Sequence, residues 1–141
     1  MPSREPCAGV NVLVVDDHQD SRDMLVQFLE FRGFNVFQAK DGAEAVELAE
    51  RHRPSVVLMD LQLPGIDGWE ATRRLKADPT TQQILVVAVT AHAFKHQKDA
   101  AREAGCDALI AKPYDLAVLA DFLARISENG LSSLDVSSLR P

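Results

Sequence analysis

The sequence predicts an α/β fold of the doubly wound kind, with five parallel strands and helices on both faces of the sheet. Three observations lead there. Short apolar runs alternate with longer amphipathic ones five times along the chain. Several of the short runs are continuous Val, Leu and Ile stretches without polar alternation, the pattern of strands covered on both faces. At 141 residues and 46% hydrophobic content, the chain suits one compact domain better than two.

The elements follow in order. Asn11–Val15 (NVLVV) reads as the first strand. The stretch 20–32 reads as a helix with Met24, Leu25, Phe28 and Leu29 on one face, ended by Gly33. A second strand is predicted over 34–39. Asp41, with Glu44 three residues on, resembles a capping box that opens a helix to about Arg51. The third strand is predicted over 56–59, and 60–68, holding Pro64, Gly65 and Gly68, reads as a loop. Residues 69–77 read as helical, stopped by Asp78–Pro79. A fourth strand over 84–89 and an Ala-rich helix over 94–104, ended by Gly105, come next. That helix should lie close to the sheet through Ala100, Ala101 and Ala104. Ala108–Ala111 (ALIA) is the fifth strand. The last helix is predicted over 115–126, with Leu116, Leu119, Phe122, Leu123 and Ile126 facing inward. Residues 1–9 and 128–141 lack periodicity and read as tails around a domain spanning 10–127.

Composition narrows the function classes. Net charge is −6, from 21 acidic and 15 basic residues, which argues against a nucleic-acid partner. No apolar run approaches the ~20 residues needed to cross a bilayer, and the first nine residues lack the apolar region of a secretory signal. A cytoplasmic location without membrane attachment is the expectation. Cys7 and Cys106 lack CxxC spacing and read as unpaired thiols of a reducing compartment.

In open parallel sheets, sites form outside the carboxyl ends of the strands. The residues just past each predicted strand are therefore informative. The first strand ends in Asp16 and Asp17, the third in Asp60, the fourth in Thr90 and the fifth in Lys112, followed by Pro113. A lone Asp there is usually a cap, and a lone Lys a surface charge. Five such groups at one sheet edge are another matter. Three carboxylates in one cleft repel each other, and a hard cation relieves the repulsion. Mg²⁺ suits the site because it takes one or two carboxylates and keeps waters, leaving room for a phosphate oxygen. A carboxylate can serve as nucleophile toward a phosphoryl group, with Thr90 donating a hydrogen bond and Lys112 supplying positive charge.

With VLVVDDH at 12–18, VVLMDLQLPGIDGWE at 56–70, VVAVTAHA at 86–93 and ALIAKP at 108–113, the chain resembles the receiver domain of bacterial two-component response regulators. The resemblance covers about 10–127, and it points to a stand-alone regulator of the chemotaxis-regulator kind. It implies the flavodoxin-like strand order 2-1-3-4-5. It implies Asp60 as the phosphoacceptor. Asp17 and Asp60 would be direct Mg²⁺ ligands, with Asp16 close by, partly through water, and the backbone carbonyl of Gln62 a further ligand. Thr90 and Lys112 would bind the phosphoryl oxygens. The phosphodonor would be a sensor histidine kinase or a histidine phosphotransfer protein. The Lys112–Pro113 peptide would be cis. Family members often carry Tyr or Phe three residues before the Lys. Leu109 stands there, so the usual coupling of threonine movement to an aromatic ring cannot operate in its common form. Switching would pass through the loop after Thr90 or through Leu109 repacking. A face spanning the fourth helix, fifth strand and fifth helix, with Phe94, Lys95, Leu109, Tyr114 and Val118, is the expected output surface for a downstream protein.

Lesser residues have readings too. His18 is expected at the start of the first helix, beside the docking partner. His92, two residues past Thr90, is a candidate for tuning water access, and Ala91 keeps the acceptor accessible. Trp69 reads as a packing residue with a partly wet indole. Two rival functions stay open. A hydrolase with an aspartyl-phosphate intermediate would want a second Asp two residues after the nucleophile, where Gln62 stands. An interaction module acting without phosphorylation would have no need of all five groups.

Overall fold

The computed structural model describes residues 10–61, 68–90, 95–112 and 115–129, with only the backbone described at 95–98 and 126–129. Its elements are β1 (Asn11–Val15), α1 (Gln19–Phe31), β2 (Asn35–Ala39), α2 (Gly42–His52), β3 (Val56–Asp60), α3 (Gly68–Ala77), β4 (Leu85–Thr90), α4 (Lys95–Ala104), β5 (Ala108–Ala111) and α5 (Leu116–Asn129). The five strands form one parallel sheet in the order β2-β1-β3-β4-β5.

The apolar runs lack polar alternation because both faces of the sheet are covered. Val12, Val14, Leu58, Val87, Val89 and Ile110 pack toward α1 and α5, against Leu25, Leu29, Leu119 and Phe122. Their neighbours Leu13, Val15, Val57, Met59 and Val86 pack toward α2 and α3, against Ala45, Ala49, Ala71 and Leu75. Residues one apart on a strand point to opposite faces, so each run feeds both layers. β2 lies at the sheet edge and is less buried.

Local chemistry sets the ends. Asp41 Oδ1 accepts from Glu44 N–H at 2.8 Å, and Glu44 Oε1 accepts from Lys40 N–H at 2.8 Å, one residue ahead of the cap. The predicted box forms in shifted register. Gly33 and Gly105 end α1 and α4 with φ of 99°, a region that L side chains avoid. Asp78 Oδ1 accepts from both Thr80 N–H and Thr80 Oγ1 at 2.9 Å, which locks the turn after α3. Asp115 Oδ1 accepts from Ala117 and Val118 N–H, so Asp115 caps α5 from outside the helix.

Three expectations change. Met24 was placed on the inner face of α1, but it is 61% exposed, and Val26 is buried with Leu25 and Leu29. At about 100° per residue, a stripe through 25, 26 and 29 turns Met24 outward. Ala100 is only partly buried on α4, where Ala101 and Ala104 make the close approach. α5 continues past the predicted end at Ile126 through Asn129. The readings placed on Cys7, Ala91, His92, Phe94 and Tyr114, and on the side chains of Lys95 and Ile126, lie outside what is described.

Candidate functional site

The acid edge is built by the central strand β3 and its neighbour β1. In the sheet, Val15 lies beside Met59, which brings Asp16 next to Asp60. Asp60 pairs with Val89 and Thr90 with Ala111, so Thr90 and Lys112 follow along the same edge. Lys112 N–H donates to Thr90 O at 2.8 Å and fixes the start of the β5 exit. The parallel register thus assembles four of the five groups from chain positions up to 96 residues apart.

Asp60 is 4% exposed, Asp16 is also buried, and Asp17 faces solvent. Lys112 Nζ lies 3.4 Å from Asp60 Oδ2. A buried carboxylate needs such compensation, since taking its charge out of water is costly. The cleft beneath is apolar, lined by Val14, Leu25, Leu58 and Val89 under Asp16, Asp60 and Lys112. Such walls strengthen electrostatic interactions above them. One ligand atom each from Asp16, Asp17, His18 and Asp60 lies within 4.8 Å of the others. Hard carboxylate oxygens in that cluster fit a magnesium ion. Thr90 is buried at the end of β4.

Sequence reasoning placed Asp16, Asp17, Asp60, Thr90 and Lys112 at this edge, and the structure brings them there. Gln62, the expected carbonyl ligand, and Pro113 lie outside the described residues. Leu109 was expected on an open output face, but it is 5% exposed and packs with Leu61, Ala88 and Ala101, beside Trp69 and Cys106. The reason is that its side chain falls on the α3–α4 side of β5, where small alanines of α4 approach closely. Trp69 is partly buried against that cluster, as expected.

Two residues were missed. Arg22 Nη1 donates to Asp16 O at 2.7 Å, and its Nε donates to Gln38 Oε1 at 3.2 Å. It ties α1 to the ends of β1 and β2 and steadies the turn carrying the acid pair. Its only sequence signal was a cation one turn into a helix. Gly68 opens α3 against the backbone at the β3 exit: a Cβ there would lie 2.7 Å from Asp60 O and 2.9 Å from Leu61 Cα. A glycine beginning a helix, a poor helix former, was the available hint.

The chain belongs to the response regulator receiver domain family, whose model matches residues 12–124. It is a receiver of two-component signalling, a class of signalling domain rather than a metabolic enzyme. The polar-differentiation response regulator DivK of Brucella anthropi is 39% identical over 103 residues, which are 73% of this chain and 84% of that protein. Among solved structures, the receiver domain of a sensor histidine kinase from Pseudomonas aeruginosa superposes with a TM-score of 0.79 at 33% identity, covering 86% of this chain and 99% of that one. That domain was crystallised with a magnesium ion coordinated in its active-site cleft. A response regulator of the LuxR family from an Aurantimonas species matches with a TM-score of 0.78 at 30% identity, covering 92% of this chain and 93% of that one.

Proposed function

We propose that Asp60 accepts a phosphoryl group from a phosphohistidine of a sensor histidine kinase or histidine phosphotransfer protein. The receiver unit runs from 10 to 129, two residues past the expected boundary at 127, because α5 continues through Asn129. The observation that carries this reading is a buried carboxylate, Asp60, with Lys112 Nζ at 3.4 Å and the acids of β1 beside it. Asp16, Asp17 and Asp60 would hold Mg²⁺, with the backbone carbonyl of Gln62 as the further ligand that the family resemblance implies. When bound, the ion supplies the positive charge that offsets the carboxylates and the phosphoryl oxygens.

The chain's own groups do the rest. A carboxylate oxygen of Asp60 bonds to phosphorus as the phosphorus–nitrogen bond of the donor breaks, and the electron pair leaves with the imidazole nitrogen. Lys112, already paired with Asp60, turns its charge to a phosphoryl oxygen once the acceptor carboxylate becomes an ester-like anhydride. Thr90 donates its hydroxyl hydrogen to another oxygen. Arg22 holds the turn that presents Asp16 and Asp17. The phosphorylated state is passed to a downstream protein through α4, β5 and α5, where Val118 is exposed.

Intact-protein mass after incubation with acetyl phosphate tests the reading. The expected result is a Mg²⁺-dependent gain of one phosphoryl group that Asp60→Asn lacks. No gain, either from acetyl phosphate or from a phosphorylated histidine phosphotransfer protein, would leave an interaction module that acts without phosphorylation.

A further inference from the structure

His18 has no part in the chemistry above, yet its ring is aimed at it. It holds the N-cap position of α1 in extended backbone, with φ −91° and ψ 110°, but its side chain caps no helix N–H. N-cap positions usually carry short side chains that turn toward the helix. The imidazole turns instead to the strand end, with Nδ1 3.1 Å from Asp17 Oδ1 and 3.5 Å from Asp16 Oδ1. The ring's place is tied to the acids, because His18 N–H donates to Asp16 Oδ1 at 2.8 Å. Its side chain is 71% exposed, so it can rotate without disturbing packing.

Ligands on opposite sides of a small divalent ion stand about 4.2 Å apart, given metal–ligand bonds of about 2.1 Å. Ligand atoms of Asp16, Asp17, His18 and Asp60 already lie within 4.8 Å of one another, so little closing is needed. An imidazole nitrogen among carboxylate oxygens changes which ions a site prefers. Magnesium takes oxygen and water, whereas nickel, cobalt and zinc gain from imidazole.

We propose that Nδ1 of His18 is an additional protein ligand at this cation site, taken up by nitrogen-seeking divalent ions and left unused by Mg²⁺. The inference rests on the cation site proposed above. With an oxygen-seeking ion the ring stays outside, hydrogen-bonded to Asp17. With Ni²⁺, Co²⁺ or Zn²⁺ the neutral ring presents the Nδ1 lone pair and keeps its hydrogen on Nε2.

Calorimetric titration of the unphosphorylated full chain with Mg²⁺ and with Ni²⁺ tests this, comparing wild type with His18→Asn and with Asp17→Asn, which marks binding at this site rather than at other histidines. The expected result is a loss of about tenfold or more in Ni²⁺ affinity for His18→Asn, with Mg²⁺ affinity held within about twofold. Co²⁺ should show a visible absorption band that shifts in His18→Asn and weakens in Asp17→Asn. Equal loss of both ions in His18→Asn would make His18 a structural prop and overturn the inference. So would unchanged Ni²⁺ affinity. Wild type that binds Ni²⁺ through His18 but ignores Mg²⁺ would uphold the inference and sink the magnesium reading; wild type that binds neither ion would overturn both.

Discussion

Gly68 and Cys106 illustrate how single atoms set limits on this site and its surroundings. A methyl group at Gly68 cannot sit 2.7 Å from the carbonyl of Asp60, so either α3 or the β3 exit must move. Both partners are backbone and yield poorly. Gly68→Ala should destabilise the protein by about 1–3 kcal/mol, as overpacking does, and should slow phosphoryl acceptance beyond what stability explains. Urea unfolding and the mass assay check the two effects. At Cys106, burial pushes the thiol up to about 11, with the nearby Thr72 hydroxyl opposing and the Asp107 charge adding. The folded chain therefore keeps this proton when the unfolded chain gives it up. Stability from this group is intact below the ordinary value of 9.0 and is lost as pH rises toward about 11. Denaturation midpoints should fall more steeply over that window in wild type than in Cys106→Ala. Parallel curves would mean the thiol is well solvated.

Among the elements, the junction of β5 with α4 is where the proposed switch would leave the site. Leu109 shares one buried cluster with Leu61, the residue after Asp60, and with Ala101 of α4. This cluster is the route of packed side chains by which the proposed switch at Asp60 would reach α4. Leu109→Ala should cost about 2–5 kcal/mol in stability through the cavity it leaves, and Leu109→Phe about 1–3 kcal/mol through overpacking. Both should alter the phosphorylation-dependent change in amide exchange of α4 while leaving the yield of phosphorylated Asp60 near wild type. Unchanged exchange in α4 for both variants would place the coupling in another element.

At the scale of the whole molecule, the proposed cation site sets charge repulsion against stability at the carboxyl edge. The sheet holds Asp16 and Asp60 in a cleft with apolar walls, and the exposed Asp17 brings a third carboxylate close to them. Like charges so placed weaken the folded state unless a cation binds. Asp17→Asn should raise Tm in magnesium-free buffer by roughly 4 °C, equivalent to about 1 kcal/mol. Magnesium at about 100 times its Kd should stabilise wild type by about 2.7 kcal/mol and the variant far less. Thermal melts with and without the ion check both, and indifference to both changes would mean the acids repel too weakly to matter. How much of this was legible in the sequence follows from the same architecture. The apolar runs, Gly33, Gly105 and Asp41 act within a few residues of chain, so they fixed the elements from composition and spacing alone. Asp16, Asp17, Asp60, Thr90 and Lys112 were legible because parallel strands send all their carboxyl ends to one edge. The rest depended on contacts between segments far apart in the chain. Arg22 reaching the Asp16 carbonyl, Gly68 pressed on Asp60, Met24 turned outward and Leu109 buried under α4 depend on how helices rotate and settle on the sheet. That settlement is a property of packing between elements, which no local pattern encodes.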